Sequence, residues 1–91
     1  MGKVTIEVFL TLREKLGWSK KEVNFNEDHT TFKQLLDYTE DLKQYLIDEK
    51  REMARGYIIL VNGRHIEFTG GLQTTLKDGD EIVIFPPSGG G

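Results

Sequence analysis

Chemistry in a protein needs a nucleophile, an acid, a base or an electrophile held at a defined place, and this chain supplies few side chains of that kind. It has no cysteine and only two histidines, His29 and His65. The lack of cysteine excludes disulfides, thiolate metal sites and thiol nucleophiles. Neither histidine has other donors at ligand-like spacing, so no metal site and no bound cofactor is expected. Asp78, Asp80 and Glu81 look like a fragment of a calcium loop. The rest of that pattern is missing, and the chemistry of a tight turn accounts for the acids better. Gly70-Gly71 lacks the lysine of a phosphate-cradling loop. Lys20, Lys21 and Lys33 are interspersed with acids, and 12 basic against 15 acidic residues give a net charge of −3. No direct contact with nucleic acid is expected from such a surface.

What remains is the segment Pro86-Pro87-Ser88-Gly89-Gly90-Gly91. Its two prolines have no N–H with which to continue a strand ladder, and they favour an extended conformation that acts as a short stalk. Gly89, Gly90 and Gly91 have no Cβ, so they fit a slot too narrow for other residues. Residues 86–91, extended at about 3.3–3.6 Å each, reach on the order of 20 Å. The reactive group expected at the tip is the α-carboxylate of Gly91. An inert terminus is the plain alternative for any such tail. Against it, the glycines follow a core strand with no linker, and nothing else in the chain is chemically equipped.

The elements behind the tail read as one α+β domain, because 91 residues cannot support two cores. Val4, Ile6, Val8 and Leu10 alternate with Thr5, Glu7 and Phe9, which predicts a strand over residues 4–10. Val23 and Phe25 repeat the pattern over 21–26. Thr31 followed by Gln34 has the form of a capping box, and Phe32, Leu35 and Leu36 lie on one stripe of the helix it opens. Leu42, Tyr45 and Leu46 predict a second helix over roughly 41–53. Tyr57 to Val61 is a continuous apolar run suited to a central strand covered on both faces. Asn62-Gly63 signals a tight turn, Arg64 to Glu67 a returning strand, and Glu81 to Phe85 the last strand. This order predicts a mixed sheet of about five strands gripping one main helix, with a second short helix, and with the first and last strands as parallel central neighbours. Residues 1–85 then form the β-grasp domain and 86–91 a flexible functional tail.

The run Asp78-Gly79-Asp80-Glu81-Ile82-Val83-Ile84-Phe85-Pro86-Pro87-Ser88-Gly89-Gly90-Gly91 resembles the ending of the molybdopterin synthase small-subunit family, ubiquitin-like sulfur carriers. Val8 to Gly17 is similar to the first strand and following helical turn of that family. The thiamine-pathway carriers share the Gly-Gly end but lack the Pro-Pro pair. Gly89 departs from the pattern, since family members usually carry a side chain there. The resemblance implies that a ubiquitin-activating-type enzyme uses ATP to adenylate the Gly91 carboxylate, and that a sulfur donor converts it to a thiocarboxylate. The thiocarboxylate then enters the molybdopterin synthase large subunit and gives sulfur to a pterin precursor, for a cofactor that binds molybdenum or tungsten. The same activation serves a ubiquitin-like modifier or a sulfur carrier for tRNA thiolation or thiamine, and a plain interaction module with an idle tail is the third reading.

One helix layer covers one face of a sheet. Phe9, Val83 and Phe85 fall on the other, which makes them candidate contacts with the large subunit or the activating enzyme. The N-terminal residues show strand alternation rather than a signal sequence, and no apolar run approaches the roughly 20 residues of a membrane span. A soluble cytoplasmic protein with no membrane partner is the expectation.

Overall fold

The computed structural model describes residues 1–87. Ser88, Gly89, Gly90 and Gly91 of the expected tail lie outside the described residues. Strand β1 (Gly2–Val8) buries Val4, Ile6 and Val8 and turns Thr5 and Glu7 to the opposite face. It pairs antiparallel with β2 (Lys20–Phe25), Val4 opposite Val23. Between them lies α1 (Leu10–Leu16), closed by Gly17 at φ 81, whose N–H bonds to the Arg13 carbonyl, the left-handed stop that glycine permits.

Leu10 was expected to continue the first strand inward. Instead it opens α1 with φ 57 and is 63% exposed. The ladder ends just before it: Val8 N–H bonds to Ser19 O and Phe9 N–H to Ile84 O, while Phe9 O already accepts the first helical bond from Arg13. The strand therefore ends two residues earlier than alternation alone indicates.

The capping box forms as read, with Thr31 Oγ1 accepting from Gln34 N and Gln34 Oε1 from Thr31 N. It opens α2 (Phe32–Leu36), which buries Phe32, Leu35 and Leu36. Ahead of it, β3 (His29–Thr31) pairs with β6 (Thr75–Lys77) in a small separate sheet. Strands of three residues are too short for alternation to announce them. Helix α3 (Glu40–Leu46) buries Leu42 and Leu46 but stops well short of residue 53. Ile47 is extended and bridges to Met53, and Asp48 Oδ1 accepts the N–H groups of Lys50 and Glu52. That carboxylate offers the backbone an alternative to the next helical turn.

Strand β4 (Ile58–Val61) turns at Asn62-Gly63, with φ 52 and 84, the left-handed pair of a type I′ hairpin. The return strand is only β5 (Arg64–His65), because His65 Nδ1 accepts Glu67 N–H and caps a 3₁₀ turn over Ile66–Phe68. Strand β7 (Glu81–Phe85) completes a five-stranded sheet in the order β2-β1-β7-β4-β5, with β1 and β7 parallel at its centre. This is the expected α+β β-grasp arrangement. Ile6, Ile59, Ile82 and Ile84 on the inner face join Phe32, Leu35, Leu36, Leu42 and Leu46 in one core. The apolar run at β4 is covered on one face rather than both: Ile59 is fully buried, whereas Ile58 is 46% exposed.

Candidate functional site: the outer sheet face and the exit of the last strand

The beginning of β7 is fixed by polar bonds. Gly79 takes φ 89 and bonds through its N–H to Lys3 O, while Asp78 Oδ1 accepts Lys3 N–H. Asp80 is 6% exposed, and its two oxygens accept from Asn62 Nδ2 and Lys77 N at 2.9 Å each. Asn62 Oδ1 in turn accepts Glu81 N–H. Each acid of the Asp-Gly-Asp run thus satisfies backbone or amide donors, which is turn chemistry and needs no cation.

From there β7 alternates. Ile82 and Ile84 enter the core, and Val83 and Phe85 come out half-buried on the face opposite the helices. The register places Ile58 beside Phe85 and Leu60 beside Val83. On the β1 side Phe9 stacks on Phe85, ring centroids 4.8 Å apart and planes 14° from parallel. The patch continues through His65, opposite Leu60, to Phe68, which stands edge-on to His65 and is 80% exposed. Phe9, Val83 and Phe85, named from the sequence, are thus brought together on one face. Ile58, Leu60 and Phe68 were missed. Ile58 and Ile59 occupy opposite faces of a strand, so one of the two had to point outward, and the apolar run hid that choice.

After Phe85 the chain reaches Pro86, half-buried, and Pro87, exposed. Neither can donate to β4. Pro87 nevertheless lies against Gly56, a residue at φ 90: a Cβ built on Gly56 would stand 2.8 Å from Pro87 Cβ and 2.9 Å from Pro87 Cγ. The stalk expected to leave the domain at Pro86 therefore keeps one contact further along. Next to this contact, burial and then the neighbouring Tyr45 push the Tyr57 phenol above its ordinary value, so Tyr57 is neutral across the physiological range. Gly56, Tyr57 and Ile58 also line a shallow hollow of about 550 Å³ with Met53 and His65.

The apolar outer face thus runs directly into the Pro86-Pro87 exit of the last strand. The model of the ThiS family matches residues 6–91, and the chain belongs to that family, the ThiS/MoaD-type ubiquitin-like sulfur carriers. It is 29% identical to small archaeal modifier protein 3 of Haloferax volcanii, over 98% of this chain and 99% of that protein. Among solved structures, it is similar to a chain of the Amycolatopsis orientalis BexX/CysO complex, with a TM-score of 0.74 and 30% identity over 97% of this chain and 99% of the other. It is also similar to a putative molybdopterin converting factor subunit 1 of Pyrococcus furiosus, with a TM-score of 0.65 and 25% identity over 97% and 100% of the two chains.

Proposed function

We propose that this chain is a cytoplasmic sulfur carrier for molybdenum or tungsten cofactor synthesis, the small subunit of a molybdopterin synthase. A ubiquitin-activating-type enzyme directs the Gly91 carboxylate onto the α-phosphorus of ATP, and pyrophosphate leaves. Hydrosulfide delivered by the sulfur donor then attacks the acyl carbon, AMP leaves, and a thiocarboxylate remains at Gly91. The adenylate matters because a carboxylate by itself is a poor electrophile. The outer face built from Phe9, Val83, Phe85, Ile58 and Leu60 docks on the activating enzyme and later on the large subunit, and those partners supply the catalytic side chains. The observation that carries this reading is the continuity of that face with the Pro86-Pro87 exit in a chain of the ThiS family.

A second reading shares the adenylate and, for tRNA thiolation, the thiocarboxylate as well. The likeness to small archaeal modifier protein 3 favours transfer of Gly91 to lysine amines, and the same thiocarboxylate could supply tRNA thiolation. Intact mass spectrometry of the native protein isolated with its partners separates these outcomes. A free chain with one oxygen of Gly91 replaced by sulfur, held non-covalently by a larger subunit, is the expected result. Isopeptide bonds from Gly91 to lysines would establish the modifier instead. A chain with neither modification, whose truncation by Gly90-Gly91 changes nothing in the cell, would overturn both.

A further inference from the structure

The register of β4 and β7 pairs Ile58 with Phe85 and Leu60 with Val83, and continued two residues past its last pair it sets Gly56 opposite Pro87. At that position a normal cross-strand pair would hold two side chains with Cβ atoms about 4.5–5.5 Å apart. Here the proline ring occupies the space of the absent one, 2.8 Å from where a Gly56 Cβ would be. Pro86 and Pro87 have no N–H with which to donate a ladder hydrogen bond at this end of the strand. Packing takes the place of those bonds, and it requires glycine twice over: once for the room, and once for φ 90, which residues with a side chain rarely adopt.

We propose that Gly56 is a positioning residue for the tail: it seats Pro87, so that the reach of Gly91 is measured from this contact rather than from the end of β7. Resting on the reading above, this deepens it. Four residues follow Pro87, and extended they span on the order of 14 Å. The partner's reactive centre must therefore lie within about that distance of the Gly56 seat, and the seat fixes the direction from which the tail enters it. A chain without the seat has to order Pro86 and Pro87 on each encounter, which costs affinity in the encounter rather than speed in the bound state.

The test uses Gly56→Ala, Pro87→Gly and the double variant in the full chain, with a ubiquitin-activating-type enzyme that adenylates the wild type. Pyrophosphate exchange should show KM raised roughly 5–10-fold for either single variant with kcat nearly unchanged. The double variant should be no worse than the poorer single, since both remove the same contact. Thermal melting identifies any loss that follows from unfolding, and Pro87→Gly leaves the domain side of the contact untouched. Additive losses, or unchanged KM in Pro87→Gly, would overturn the seat. Nuclear Overhauser contacts between Gly56 Hα and the Pro87 ring in the wild type test it independently of any enzyme, and their absence would overturn it also. Failure of the wild type itself to be adenylated, with those contacts present, would overturn the sulfur-carrier reading and leave the seat standing.

Discussion

Strand β7 is held by different forces at its two ends. Its entrance is a set of directional polar bonds, Lys3 to Asp78, Asn62 and Lys77 to Asp80, and Glu81 to Asn62. Its exit has an aromatic stack on Phe9, a cross-strand contact with Ile58 and the Gly56 seat. Hydrogen bonds fix register because a slip of one residue breaks them all, whereas apolar contacts tolerate small shifts and can be shared with an incoming surface. The entrance therefore sets where every residue of the strand lies, and the exit leaves apolar side chains partly exposed.

If that contrast holds, Asp80→Ala should be the most damaging change at either end, lowering unfolding free energy in urea by about 3 kcal/mol because Asn62 Nδ2 and Lys77 N–H lose their charged acceptor. Asp80→Asn, which keeps one acceptor oxygen, should lose less. A loss under 1 kcal/mol for the alanine variant would mean that packing holds the entrance too. At the exit, Phe85→Ala should cost about 1–2 kcal/mol, the stack on Phe9 plus a partly exposed ring. Phe85→Glu should bind the activating enzyme proposed above at least tenfold more weakly while still melting cooperatively. Global unfolding of that variant would place Phe85 in the core and break the comparison.

A polar cluster away from both ends sharpens it. Trp18 Nε1 donates to Asp41 Oδ2 at 2.8 Å and Lys21 lies 4.7 Å over the indole ring, tying the hairpin to α3. The Trp18 hydrogen bond, together with the Leu42 N–H and the Lys21 charge, lowers the Asp41 carboxyl below its ordinary value of 3.8. Its contribution to stability is complete above that value and is lost as pH falls below it through the folded one. Asp41→Asn should flatten this acid limb of the stability profile, and an unchanged limb would assign it to other carboxylates. The smallest effect is expected at Thr39, whose hydroxyl is buried with no hydrogen-bond partner among the described residues. Thr39→Val should change stability by no more than about 0.5 kcal/mol, in the favourable direction, because no bond is lost and a polar group leaves the core.

The entrance was legible in the sequence and much of the exit was not, and the physics of the two ends explains why. Asn62-Gly63 and the Thr31–Gln34 box are short-range devices with local partners, and Asp78-Gly79-Asp80 is legible as a turn from its residue types, although its bonds to Lys3 and Asn62 reach far along the chain. They were read correctly. Strand alternation placed Phe9, Val83 and Phe85 on the outer face for the same reason. Ile58 required the register between β4 and β7, which no local pattern encodes, and Gly56 announces itself only through a proline 31 positions later. Helix α3 was overextended because the apolar spacing runs on past Leu46, while the Asp48 side chain captures the backbone there. Leu10 shows the opposite error, where alternation persists but the ladder has already ended.

The parallel pairing of β1 with β7 also has a consequence for synthesis. The strand that leaves the ribosome first waits for residues 81–85 before the centre of the sheet can close, a pairing that spans nearly the whole chain and whose loop-closure entropy makes it late to form. A nascent or truncated chain lacking Phe85 has neither a complete sheet nor the aromatic pair at its edge. Completion of the fold and formation of the outer apolar face are therefore the same event, so an unfinished chain cannot present that face to the partners proposed above.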